Sequence, residues 1–373
     1  MNFALAGNQL KLGTRLLKHY HLRNDMSYCD PFKAKYFITR KCNLSCKHCG
    51  IGGNSEQREE LTTLEVERLI KNNPCLQVFS ISGGEPFLRD DLLEITKAVF
   101  RLMPDLMLFS INTNGWLTEK IVKLAQNTVD DIPAGCNFYI AVSSDGPESI
   151  HNEIRCNSDS FRRKEETIAA LRKIAAKKPQ FKVRHNINVN PWNMNSVLDY
   201  IEDCEKMGDD VIVSLYSASK HYSHSDEHFE RFAEFKKRLL ENDQLLKRLR
   251  QRGTFLSNRF LVQAGDFYAS SKRVQPLPCF SLKASLIVES WGDVRPCINY
   301  PVNLGNVKDS GFDLVKIISE SGAERIRETI RKQHCPVCWT PSEAYVSLMC
   351  NMPNPKFWRK PDEAVKTILL RQI

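Results

Sequence analysis

The sequence predicts an α/β fold, a partial (βα)6 barrel followed by a small cysteine-rich C-terminal domain. Three observations predict it. From Lys35 to about Ser217, short runs rich in β-branched and aromatic residues alternate with stretches whose apolar residues recur every three or four positions, the pattern of βα units around a parallel sheet. Six such strands can be read, too few to close an eight-stranded barrel. From Pro276 onward the alternation stops and cysteines frame a short hairpin-like segment.

Taken in order, residues 1–32 are basic and partly amphipathic ("NQLKLGTRLLKHYHL"). They predict a helix packed on the outside of the barrel, with a charge also compatible with peripheral contact to an anionic lipid surface. The barrel, residues 33–221, has strands at "KYFITR", "LQVFSIS", "LMLFSIN", "NFYIAVS", "KVRHNIN" and "VIVSLY". Between them lie helices such as "TLEVERLIKN", "LLEITKAVFRLM" and "FRRKEETIAALRKIAA". Residues 222–275 read as a charged helical connector whose one strand signal is "NRFLVQA". Residues 276–350 form the cysteine-rich domain, with the hairpin in "CFSLKASLIVESWGDVRPC", and residues 351–373 a tail.

The 373 residues are 42% hydrophobic and 26% charged, enough to bury a sizeable core. No run of about 18 apolar residues and no signal-like segment occurs, so no transmembrane segment and a cytoplasmic location are expected. The net charge of +9 is spread along helices and interleaved with acids. That is the pattern of solvated helix faces, so no nucleic-acid partner is expected. Thirteen cysteines in a reducing compartment are more often ligands or catalytic groups than disulfides.

Three of them, Cys42, Cys46 and Cys49, follow the first strand directly and so lie at the strand ends where parallel βα folds place their sites. Thiolates this closely spaced suit an iron-sulfur cluster that keeps one iron open, with a zinc site or coincidence as the alternatives. Strand two ends in "SGGEP": Gly83 and Gly84 allow close backbone approach to a ligand, Glu85 can accept from an ammonium, and Pro86 stiffens the exit. Asn114 ends strand three, Ser143 ends strand four, and Arg155 follows. A carboxylate, a guanidinium and small polar groups together describe a pocket for an amino-acid nucleoside.

On these residues the sequence resembles the radical S-adenosylmethionine superfamily. The resemblance rests on the CxxxCxxC loop, with His48 where an aromatic residue is common, on "GGEP", and on the serine-arginine spacing of Ser143 and Arg155. It implies that Cys42, Cys46 and Cys49 hold a 4Fe-4S cluster whose fourth iron is chelated by S-adenosylmethionine. It further implies that Gly83, Gly84, Glu85, Pro86, Ser143, Arg155 and, less specifically, Asn114 contact that cofactor.

By spacing alone, Cys279, Cys297, Cys335 and Cys338 suit zinc or a second cluster equally. In the context of the family they resemble the twitch/SPASM extension, which implies an auxiliary 4Fe-4S cluster. Cys350 is left as a structural thiol, a replacement ligand or a substrate-facing group, and Cys156 or Cys350 as a hydrogen donor in an epimerisation. The resemblance implies reductive cleavage of S-adenosylmethionine to a 5'-deoxyadenosyl radical, hydrogen abstraction from an organic substrate, and an external one-electron reductant such as flavodoxin or ferredoxin. A peptide or protein substrate is expected, although residues 1–32 are too few for a folded leader-binding domain. The alternatives are a sugar, aminocyclitol or lipid-linked small molecule, or a non-catalytic iron-sulfur sensor or electron carrier. No catalytic residue is assigned, and for His185, Tyr216 and Tyr300 a structural role is the expectation.

Overall fold

The computed structural model describes residues 3–17, 30–51, 58–217, 219, 226–250, 260–261, 263–264, 267 and 275–352. Helix α1 (Phe3–Leu16) precedes β1 (Lys33–Thr39), and five βα crossovers follow: α2 (Thr63–Lys71), β2 (Val78–Gly83), α3 (Leu92–Leu102), β3 (Leu108–Thr113), α4 (Thr118–Thr128), β4 (Asn137–Ser143), α5 (Glu148–Arg155) and α6 (Ser160–Ala175), β5 (Phe181–Val189), α7 (Val197–Lys206) and β6 (Asp210–Leu215). β1 to β6 are parallel and neighbours in chain order, as six predicted strands joined by crossover helices require.

A row of phenylalanines fixes the register. Phe79 pairs with Phe109, Phe109 with Phe138 and Phe138 with Phe181, their ring centroids 6.2, 5.2 and 5.4 Å apart. All four are buried in the core that the crossover helices cover. Because side chains alternate, a slip of one residue would turn that row to the opposite, polar face. Each ring stabilises the fold by about 2–3 kcal/mol on burial, so register errors are heavily penalised.

The hairpin set apart in the sequence reading joins this sheet. β7 (Ser285–Val288) pairs in parallel with β1, and β8 (Val294–Arg295) pairs antiparallel with β7, giving the order β6-β5-β4-β3-β2-β1-β7-β8. All four residues of β7 are buried, which a free-standing hairpin could not achieve, and β7 covers the edge of β1. Gly292 turns the hairpin at φ +97, where a Cβ would crowd Val307 and Asn306.

The strand expected at "NRFLVQA" is a correction. Its described members Phe260, Leu261, Gln263 and Ala264 are helical, and Phe260, Leu261 and Ala264 are buried with Trp339 and Leu348. A short apolar run satisfies either period, and tertiary packing chose the helix.

Leu12 and Leu16 of α1 are buried with Phe32, Ala284, Val346 and Cys350, and Arg15 pairs with Asp30 and donates to the Cys75 carbonyl. The apolar face of the amphipathic start is thus used by the fold, at the N-terminal end of the strands. The helix Pro341–Asn351 bridges two apolar clusters: Ala344 and Leu348 pack with β6 and α8 (Asp226–Glu241), Val346 and Cys350 with α1. Among the described residues no helix is long and apolar enough to cross a membrane.

Candidate active site

Parallel strands all end on one side, so the segments after β1, β2, β3 and β4 converge there. A Cβ on Gly83 or Gly84 would fall on the backbone of Thr39 or Lys41. The Gly84 amide donates to the Thr39 carbonyl and the Glu85 amide to the Lys41 carbonyl, both at 2.8 Å. The close approach these glycines permit is therefore made by the chain's own cysteine loop, which is seated on the end of β2.

Glu85 is fully buried. Its Oε1 accepts from the Phe87 amide at 3.2 Å and the Thr113 hydroxyl at 2.8 Å, and its Oε2 from the Asn114 amide at 2.7 Å. Burial pushes its carboxyl up to about 7 in spite of these bonds. Glu85 thus staples β2 to β3. Asn114 in turn donates to Asn43 Oδ1 at 2.8 Å, tying β3 to the cysteine loop.

On the other flank the loop meets α5. The Lys47 amide donates to the Ile154 carbonyl at 2.9 Å, and Arg155 Nη1 lies 3.7 Å from Cys46 Sγ. Arg155 Nε donates to Asp145 Oδ2 at 2.6 Å. Burial pushes the Asp145 carboxyl up, but the Arg155 guanidinium together with His48 and His151 holds the group below its usual range. Ser143, the last residue of β4, is half-buried on the face away from the core helices. Sequence reasoning assigned Asp145 no role; only the fold shows it as the partner of Arg155. We expect Asp145→Asn, which leaves the Arg155 charge without its partner, to lower stability by about 2 kcal/mol, read by denaturant unfolding.

His151, missed in the sequence, fixes this corner. Its Nδ1 accepts from the Asp145 amide at 3.2 Å, so its Nε2 carries the proton toward Ser160 Oγ, 3.2 Å away. Burial lowers its pKa to about 3. Unfolded histidine takes a proton below about 6.5 whereas the folded one stays neutral, so stability present above pH 6.5 is lost as pH falls toward 3. The slope from His151 alone approaches 1.4 kcal/mol per pH unit. Unfolding midpoints between pH 7.5 and 5.5 should fall less steeply in His151→Gln than in the wild type.

Burial raises the thiol pKa of Cys42 and Cys46 and pushes Cys49 up to about 11. Ligation of a metal here must release those protons. In the second set burial leads again, and Cys338 is pushed up to about 12. Cys338 acts on Cys279 and Cys297, Cys279 on Cys297, Cys335 on Cys279 and Cys338, and Glu343 on Cys279, Cys297 and Cys338. Through Cys338 the four predicted thiols are linked electrostatically. Cys350 packs in the apolar cluster under α1, and Cys156 is an exposed residue in left-handed conformation (φ +53) that ends α5. His185 is buried between Ser144 and Asp209, bonded at 3.0 and 3.1 Å, a structural position.

Among the described residues no three His, Cys, Asp or Glu side chains converge on a single metal-ion position. A cubane presents its irons at separate corners, so its thiolate ligands need not converge. The donor set fits such a cluster, and two buried polar atoms without partners, His48 Nδ1 in the loop and Asp145 Oδ1 beside Arg155, fit a polar cofactor next to it.

A family model described as the radical SAM superfamily matches residues 36–204, and one described as an iron-sulfur cluster-binding domain, SPASM, matches residues 279–340. The chain carries a radical SAM domain and a SPASM iron-sulfur domain. This radical SAM protein has 4Fe-4S clusters and S-adenosylmethionine as cofactors. It is 27% identical over 176 residues to pre-heme d1 synthase of Dinoroseobacter shibae, a match covering 46% of this chain and 40% of that protein. It is 23% identical to the antilisterial bacteriocin subtilosin biosynthesis protein AlbA of Bacillus subtilis, over 88% of this chain and 70% of AlbA. The matches to the first curated relatives span about two fifths of their length or less. Among solved structures, Streptococcus suis SuiB bound to S-adenosylmethionine shares the fold with a TM-score of 0.55 and 16% identity, over 87% of this chain and 74% of that one.

Proposed function

We propose that this radical SAM protein is an enzyme that modifies a peptide or protein, with Cys42, Cys46 and Cys49 holding the cofactor-binding cluster and Cys279, Cys297, Cys335 and Cys338 an auxiliary one. The observation that carries the reading is the placement of both cysteine sets on adjacent strands: one loop leaves β1, while Cys279 and Cys297 flank the hairpin whose β7 pairs with β1. When bound, the clusters and S-adenosylmethionine supply reductive cleavage of the sulfonium, hydrogen abstraction from substrate by the resulting 5'-deoxyadenosyl radical, and a place to send an electron.

The chain's own part is positional. Glu85 and the two glycines hold the loop at the strand ends, and Arg155 sets a positive charge beside the Cys46 thiolate. His48 Nδ1, Asp145 Oδ1 and Ser143 offer polar contacts to an amino-acid nucleoside. The face of the strands below, away from the core helices, would receive substrate and keep water from it. Electrons would come from an external one-electron reductant such as flavodoxin or ferredoxin.

Similarity to AlbA across most of this chain supports a peptide substrate. A tetrapyrrole substrate is the second reading, favoured by the match to pre-heme d1 synthase, which is confined to under half of each chain. Anaerobic reconstitution with iron and sulfide should give about eight irons per chain. Reduction should then yield 5'-deoxyadenosine. Full iron without any 5'-deoxyadenosine, with or without added peptide, would turn the reading toward an electron carrier.

A further inference from the structure

Below the cysteine loop, β1 places two lysines at alternate positions. Ala34, Tyr36 and Ile38 enter the helix-covered core, which leaves Lys33, Lys35 and Phe37 on the opposite, concave face. Level with Lys35 across the sheet stand Ser80, Ser110 and Tyr139, neutral hydroxyls, and Ser110 Oγ donates to Ser80 Oγ at 2.9 Å.

The charges here do not balance. Lys33 Nζ donates to the Ser342 carbonyl. Lys35 has neither a hydrogen bond nor an ion pair among the described residues; its ammonium lies 5.5 Å from the Phe37 ring centroid. The carboxylate both lysines feel is Glu343, which accepts from Thr340 Oγ1 at 2.6 Å and also faces the auxiliary thiols. Arg184, on the concave face of β5, is neutralised by Asp210 at 2.7 Å. Two cations thus share one carboxylate. Burial pushes both lysines down, Lys33 to about 8, against the opposing pull of Glu343. A half-buried ammonium short of a counter-charge is costly unless a ligand supplies one.

We propose that Lys35, with Lys33 beside it, anchors a carboxylate group of the substrate in the barrel lumen beneath the two cysteine sets. This rests on the enzymatic reading above and names the chemistry of what that site accepts. The hydroxyls of Ser80, Ser110 and Tyr139 can share the oxygens of such a group with the ammonium. The nearby arginines already pair with carboxylates, Arg40 with Glu289 and Arg184 with Asp210, and the helix N-terminus that reaches Lys33 carries Glu343 in its first turn, which disfavours a phosphate dianion there. A carboxylate can come from an acidic peptide residue or from a tetrapyrrole propionate, and the two sources are separable.

The test uses the full chain, reconstituted with iron and sulfide and loaded with S-adenosylmethionine. Two matched probe pairs are titrated by calorimetry: an acetylated and amidated pentapeptide with a central glutamate against its glutamine counterpart, and mesoporphyrin against its diamide. In at least one pair the carboxylate probe should bind the wild type about 10- to 100-fold more tightly than it binds Lys35→Met. The amide probe should bind both proteins alike, and Lys35→Arg should recover most of the affinity. Lys35 has no hydrogen bond or ion pair to lose, so Lys35→Met should melt at or above the wild-type temperature; if it does not fold, Lys33→Met and Lys35→Arg carry the comparison. A response in the peptide pair identifies a peptide source, and one in the porphyrin pair a tetrapyrrole. No lysine-dependent difference in either pair overturns the proposal. Formation of 5'-deoxyadenosine by the same wild-type preparation reports separately on the parent reading.

Discussion

Gly84→Ala is expected to dismantle the candidate active site. The added Cβ would sit on the Lys41 carbonyl, a backbone atom with no side-chain freedom to yield, and would press on the Arg40 carbonyl as well. Relief requires the cysteine loop to lift from β2. That breaks the two 2.8 Å bonds from the Gly84 and Glu85 amides and pulls Glu85 from its three donors at Phe87, Thr113 and Asn114. At about 1 kcal/mol per bond, with buried donors left unpaired, the loss is about 3–5 kcal/mol. Gly13→Ala in α1 is the contrast: nothing lies within 4 Å of its Cβ, the position is an exposed helix interior, and stability should rise by about 1 kcal/mol. Thermal unfolding and iron content after reconstitution should move in opposite directions for stability and fall only for Gly84→Ala. Normal iron loading in Gly84→Ala would refute the seating argument.

The two cysteine sets should separate functionally. In Cys42→Ala/Cys46→Ala the iron should drop from about eight to about four per chain, and 5'-deoxyadenosine should disappear. Cys279→Ala/Cys297→Ala should lose the same iron yet retain some cleavage of S-adenosylmethionine, because the loop, Glu85 and Arg155 are held by contacts that do not involve the second set. Burial holds these thiols neutral in the metal-free protein, so removing two of them leaves no buried charge unpaired. The second variant should therefore fold. Equal iron in the wild type and Cys279→Ala/Cys297→Ala would assign that set to structure instead of a cluster.

Much of this was legible because it is local. The six strands carry their own period, the crossover helices their own apolar faces, and "RKCNLSCKHC" and "SGGEP" place chemistry at strand ends by chain order alone. The reading of Gly83 and Gly84 shows the boundary. A glycine pair announces a close approach, but the object approached, here Thr39 and Lys41, is distant in sequence. His151 and Asp145 likewise look like ordinary helix and turn residues until α5 folds back onto β4.

By itself the sequence determined the six strands with their crossover helices and showed cysteines spaced as candidate iron ligands, since alternation, helical period and ligand spacing act between near neighbours. Only the tertiary structure decided that the C-terminal hairpin extends the main sheet, that "NRFLVQA" is helical where it is described, that Glu85 serves as a staple, and that Lys33 and Lys35 share one carboxylate. Each depends on which distant surfaces meet, and edge pairing, burial and charge balance are properties of that meeting.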